Sequence, residues 1–129
     1  MRKDGAIKVK KDPYESGKSE REVHKECLAG LEKMGIEPKT IYCGGIPVKR
    51  GGKIILVPNP AVGIADIFMT AQNYAFWAEI KKNAGGYWSA DQQAFAKRVR
   101  SAGMVYFLVT SWTMLEEQLP IKLVELGLL

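Results

Sequence analysis

Asp66 and Glu79 lie in the middle of otherwise apolar stretches, and Lys81 follows Glu79 by two residues. A carboxylate in such a place is costly unless its charge is compensated. On an extended strand Glu79 and Lys81 leave by one face and Ile80 by the other. Strands are expected over residues 65–71 and 74–82, separated by Gln72 and Asn73, and Asn accepts the positive φ of a two-residue hairpin turn. With that turn Ala71 pairs with Tyr74, and Asp66 falls opposite Glu79 with Cβ atoms about 4.5 to 5.5 Å apart. Two carboxylates so close repel unless a cation lies between them. A one-residue slip would send them to opposite faces. Few oxygen ligands beside open water positions suit Mg²⁺ or Mn²⁺, and the backbone carbonyl of Ile80 is placed to add a further ligand. Such an ion activates water and neutralises a phosphate. Lys81 adds a point charge beside the attacking water or the phosphate. The chemistry outlined is metal-assisted hydrolysis of a phosphodiester. Taken alone, Glu-x-Lys is common and also fits a solvated, salt-bridged strand face. Its company favours the metal site: Gly63-Ile64-Ala65-Asp66, the thirteen-residue step to Glu79, and a basic glycine loop beyond it.

The elements that must position these residues are marked at their ends. Ser19 and Glu22 form a capping box. The helix it opens carries Val23, Cys27, Leu31 and Met34 on one stripe and stops at Gly35. After Pro38, residues 40–43 and 53–57 read as strands, with turns at Gly44-Gly45 and Gly51-Gly52 and a break at Pro58-Asn59-Pro60. A second capping box, Ser89 with Gln92, opens a helix to about Ala102 with Phe95, Val99 and Ala102 facing inward and Gly103 ending it. Residues 104–109 are a continuous apolar run best placed inside a sheet, and residues 112–119 read as a short helix stopped by Pro120. The order is α-β-β-β-β-α-β-α, that of an α/β chain. Residues 1–18, basic and broken by Pro13, read as a mobile or loosely docked arm before a single domain over 19–129.

A chain of 129 residues fits that one domain. No apolar run approaches the roughly 18 residues a membrane helix needs, and the N-terminus lacks the apolar core of a secretory signal, so cytoplasmic residence is expected. Two cysteines and one histidine are too few for a disulfide framework or a zinc finger. Cys27 reads as a buried inert thiol and His24 as a helix-surface residue, which leaves no partner for triad hydrolysis. The net charge of +5 suits a polyanionic partner without requiring one, so its distribution matters more. Lys82, Lys97, Arg98 and Arg100 cluster after the acidic pair, and Lys49, Arg50 and Lys53 surround a glycine turn. These are candidate phosphate contacts, which give salt-dependent affinity with little sequence readout. Tyr87 could stack on an exposed base. Trp88, beside it, reads rather as a packing residue ahead of the Ser89 cap.

Taken together, these motifs resemble the virus-type replication-repair nucleases (VRR-NUC) of the PD-(D/E)XK superfamily, from about Ser19 to Leu119. The resemblance begins with Ser19-Glu20-Arg21-Glu22-Val23-His24 and continues through Gly63-Ile64-Ala65-Asp66 and Ala78-Glu79-Ile80-Lys81-Lys82. It is strongest from Gly85 to Phe95, with an Arg-Ser-Ala-Gly ending at Gly103. It implies a restriction-endonuclease-like fold with a central mixed sheet flanked by helices. It also implies metal binding by Asp66 and Glu79, Lys81 as catalytic lysine, Glu20 approaching from the first helix, and Gln92 positioning metal-bound water or phosphate. Small members of the family occur alone in phage genomes, and some resemble Holliday-junction resolvases that act as homodimers, which sets the expectation of a homodimer on branched DNA here. Ala65 replaces the proline of the superfamily name, and Ala90-Asp91 stands where Pro-Glu is more usual; neither change removes a ligand. Two other readings remain: a non-catalytic nucleic-acid-binding or assembly protein on a nuclease-like fold, and a nuclease acting on RNA or single-stranded ends.

Overall fold

The computed structural model describes residues 2, 4–14, 17–41, 46–57, 63–71 and 74–128. In chain order its elements are β1 (Ile7–Lys8), α1 (Glu20–Lys33), β2 (Glu37–Thr40), β3 (Ile46–Arg50), β4 (Lys53–Val57), β5 (Ile67–Ala71), β6 (Tyr74–Ile80), β7 (Tyr87–Trp88), α2 (Ala90–Ser101), β8 (Val105–Val109) and α3 (Trp112–Glu125). Strands β5 and β6 are antiparallel, with Ala71 against Tyr74 and Ile67 against Ala78. That is the expected register, although Gln72 and Asn73 lie outside the described residues. β2 pairs antiparallel with β5, and β8 pairs parallel with β6, giving a mixed sheet of order β2-β5-β6-β8. A parallel pair needs a crossover, and α2 supplies it.

Alternation along β6 builds the layers. Phe76, Ala78 and Ile80 enter a core with Val23, Cys27 and Leu31 of α1 and Leu115, Leu119 and Leu123 of α3. Trp77 takes the opposite face and meets Phe95 of α2 edge-on, ring centroids 5.0 Å apart. Ala65, Ala96, Val99 and Tyr106 complete this second, smaller core. Helices α1 and α3 therefore cover one face and α2 the other, a mixed α/β arrangement. The two helices of the first face meet closely: a Cβ on Gly30 would lie 2.2 Å from the Trp112 ring. Among the described residues no helix is long and apolar enough to cross a membrane.

Both capping boxes form as expected. Other expectations need correction. The helix at 112–119 does not stop at Pro120; α3 runs on to Glu125. A proline inside a helix costs about 3 kcal/mol. Leu115, Leu119 and Leu123 continue one buried stripe through it, and fully burying a leucine is worth about 1.5 to 3 kcal/mol. Met34 and Ala102 are exposed rather than inward-facing, because each is a C-cap past the last helical turn; Ala96 takes the buried position. The apolar run at Val105–Val109 forms an edge strand, not an internal one. Both its faces are covered, so burial rather than pairing accounts for its composition. β2 begins at Glu37, three residues ahead of expectation, since an edge strand tolerates Pro38. The remainder of that expected strand, Tyr42 and Cys43, lies outside the described residues, as do the Gly44-Gly45 turn and the Pro58-Asn59-Pro60 break. β3 is unforeseen because Pro47 argues against a strand; it pairs with β4 through Gly51 and Gly52, with φ of 56° and 77°. Finally, the arm is docked where it is described. Ala6 and Val9 are buried, β1 pairs with β7, and the Val9 amide donates to the Gly86 carbonyl at 2.9 Å.

Candidate active site

Asp66 sits one residue before β5 and is held from both sides of the chain. Its backbone carbonyl accepts the Ile41 amide at 2.8 Å, prolonging the β2 pairing. Its carboxylate Oδ2 accepts the Ile80 amide at 2.8 Å. The approach to this position depends on Gly63, whose φ is 86° and where an added Cβ would lie 2.9 Å from the Asp91 Cβ. A side chain there would be strained by the backbone and blocked by the first turn of α2.

Glu79 projects from β6 onto the same face and is only 3% exposed. Its Oε1 accepts a 2.7 Å hydrogen bond from Gln92 Nε2 and lies 3.5 Å from Lys81 Nζ. Its Oε2 is buried with no hydrogen-bond partner. Burial above all, and then the Asp66 carboxylate, push the Glu79 carboxyl up to about 8, against the pull of Lys81. Gln92 also acts on its own helix. Its Oε1 accepts the Ser89 amide at 2.9 Å, so one side chain closes the helix cap and grips the acid. The capping motif legible in the sequence thus orients the carboxylate that the sequence places on the strand.

Asp66, Glu79, Lys81 and Gln92 are therefore brought together. Ile80 joins through its backbone: its amide faces Asp66, and the carbonyl of an extended residue leans the same way as its amide. Glu20 is not drawn in. It opens α1 exposed to solvent, while its neighbour Glu22 is closed onto Ser19 in the capping box. Among the described residues no group of three or more His, Cys, Asp or Glu side chains gathers around one point. The basic candidates are dispersed. Lys82 is exposed next to the cluster, Lys97 and Arg98 are exposed on α2, and Lys49, Arg50 and Lys53 are exposed at the end of the β3–β4 hairpin. Tyr87 lies under the Arg2 guanidinium at 4.8 Å. Trp88 packs, as expected, donating from Nε1 to the Tyr106 hydroxyl at 3.1 Å.

Sequence reasoning missed a second polar group beside the first. Asn83 exchanges two hydrogen bonds with Asp12, at 2.9 and 3.0 Å, and Thr110 donates its hydroxyl to the same carboxylate. No local pattern links residues so far apart in the chain.

Two adjoining carboxylates, one with a free oxygen, form an oxygen-donor set for a small hard cation. Removing water from an acid costs energy that hydrogen bonds from Gln92 and an ammonium at 3.5 Å only partly return. The residues present fit a divalent ion. Comparison with family models, with curated proteins and with solved structures finds no match to this chain.

Proposed function

We propose that this chain is a divalent-metal-dependent endonuclease that hydrolyses DNA phosphodiester bonds, of the PD-(D/E)XK kind and nearest in motif to the VRR-NUC nucleases. The supporting observation is the buried Glu79 carboxyl, bonded through Oε1 to Gln92 and set against Asp66, whose charge helps to hold it up at about 8. A purely structural role does not account for two acids held side by side in a buried place, because burial and mutual repulsion both raise the cost of ionising Glu79. Asp66, Glu79 and the Ile80 carbonyl would hold Mg²⁺ or Mn²⁺. When bound, the ion supplies positive charge to the phosphate and makes water acidic enough to attack it.

The chain's own residues do the rest. Gln92 holds Glu79 by Oε1 and so leaves Oε2 available. The Ile80 amide fixes Asp66 by Oδ2. Lys81, mostly buried at the cluster, places its ammonium where charge grows on a phosphate oxygen. Lys82, exposed next to the cluster, would be a phosphate contact, and Lys97 and Arg98, exposed further along α2, would meet phosphates beyond it. A homodimeric state and a preference for branched DNA rest on the resemblance.

The test is cleavage of four-way junctions, flaps and linear duplex, side by side in Mg²⁺, by wild type and Asp66→Ala. Wild type should cut, EDTA or Asp66→Ala should abolish cutting, and DNA binding should persist in the variant. Binding without cutting in Mg²⁺ and in Mn²⁺ would identify a non-catalytic DNA-binding protein instead. Equal cutting of all three DNAs would reject junction selectivity.

A further inference from the structure

A cleft of about 450 Å³ opens between β1, the end of β8 and the start of α3. Val9, Trp88, Leu108 and Met114 give it an apolar lining, and Lys8, Lys10 and Lys11 stand along it, all three exposed. Its position relative to the acids follows from the sheet. Leu108 is the β8 partner of Glu79, and the Lys81 amide donates to the Val109 carbonyl at 2.8 Å, which sets Thr110 beside Lys81. Leu108 and Thr110 share the face of Tyr106, which packs with α2. The cleft therefore lies on the same face of the sheet as the carboxylates, one strand from Glu79 and two from Asp66, at about 4.8 Å per strand.

We propose that this cleft takes one unpaired nucleobase of the DNA strand whose phosphate lies at Asp66 and Glu79. The inference rests on the nuclease reading and narrows its substrate to DNA with an unpaired base next to the cleaved bond. Size argues for a single base: the volume falls in the lower part of the range for small-molecule sites, about 300 to 1,000 Å³, too small for a duplex. The lining argues for it too. Bases stack on aromatic side chains with about 1 to 3 kcal/mol each, and Trp88 is held in place by its bond to Tyr106. Charge completes the case, because Lys8, Lys10 and Lys11 make no ion pair among the described residues and are free to meet the flanking phosphates. Asp12 is the acid of the lining, and its carboxylate is engaged by Asn83, the Tyr14 amide and Thr110.

The experiment measures binding in EDTA, where nothing is cut, of a fully paired duplex and the same duplex carrying one extrahelical 2-aminopurine. Wild type should bind the second about tenfold more tightly and quench its fluorescence, as base stacking of about 1.4 kcal/mol requires. Met114→Trp, which fills the cleft, should bring the two DNAs to similar affinity, whereas the double change Lys10→Glu with Lys11→Glu, which leaves the core untouched, should weaken binding of both. Equal wild-type affinities, a preference that survives Met114→Trp, or a double change that leaves both affinities unaltered would overturn the assignment. An RNA strand bound more tightly than its DNA counterpart would overturn it as well. The two readings separate cleanly. A base preference without metal-dependent cutting removes the nuclease and leaves the cleft, whereas cutting without the preference removes the cleft and leaves the nuclease.

Discussion

Along β6 the residues facing α1 and α3 are Phe76, Ala78 and Ile80, whereas those facing α2 are Trp77 and Glu79, with Lys81 just beyond the strand. On the first face every buried side chain from the sheet is apolar, and three leucines of α3 close over it. The second face holds both described side-chain atoms that are buried without a hydrogen-bond partner, Trp77 Nε1 and Glu79 Oε2. Neighbouring residues of a single strand thus serve opposite ends: one side is optimised for packing, the other carries a cost. Where local consistency breaks down in this way, a functional site is the expected reason.

The largest expected effect lies on the α2 face. Asp66→Ala or Lys81→Ala should lower the rate of DNA cleavage by about 10²-fold or more, the scale for losing a group that stabilises transition-state charge. Initial rates on one substrate check this, with urea unfolding of the same proteins to show that the fold remains. The converse change is on the other face. Leu115→Ala should cost about 2 to 5 kcal/mol of stability by leaving a cavity in the α1–α3 core. Below its melting transition it should leave the cleavage rate of the folded protein nearly unchanged. If both substitutions affected rate and stability alike, the division between the faces would be lost.

The pH dependence sharpens the contrast further. Glu79 is raised in the folded chain from 4.5 to about 8, so the folded protein keeps a proton that the unfolded chain releases between those values. In EDTA its contribution to stability is therefore full at low pH, declines as pH rises from about 4.5 to about 8, and stays lost above that. The slope is at most about 1.4 kcal/mol per pH unit. Melting curves across the range should show the decline in wild type and a shallower one in Glu79→Gln, which should be the more stable of the two at about pH 8. The smallest effect concerns the cap. Ser89→Ala should cost about 1 kcal/mol of stability. It also loosens the turn that sets Gln92 against Glu79, so the cleavage rate should fall severalfold although Ser89 does not itself touch the acids.

Much of the α2 face was legible because its determinants are local. Each capping box is four residues long, and the β5–β6 register follows from a two-residue turn together with the alternation of Ala78, Glu79 and Ile80. That Asp66 and Glu79 share a face is a direct consequence. What could not be read depends on contacts across the chain. β1 and β7 have two residues each, too few for any periodicity, and exist because they meet. The bond from Thr110 to Asp12 joins segments 98 positions apart. Pro120 looks like a helix stop by local rules and is overruled by Leu123, whose burial depends on a sheet contributed by other segments. The Gln92 bond to Glu79 falls between these cases: the sequence showed the cap, and the resemblance suggested a role at the site, but only the packing of α2 on β6 joins them.

Titration of Mn²⁺ into wild type and Asp66→Asn, followed calorimetrically at about pH 7.5, bears most directly on the paired carboxylates. Two acids converging on one ion should give a single site per chain in wild type, with proton release as Glu79 ionises, and an affinity at least about tenfold weaker in the variant. A wild-type chain that takes up no Mn²⁺, or a variant that binds it equally well, would show that these side chains do not hold a metal between them.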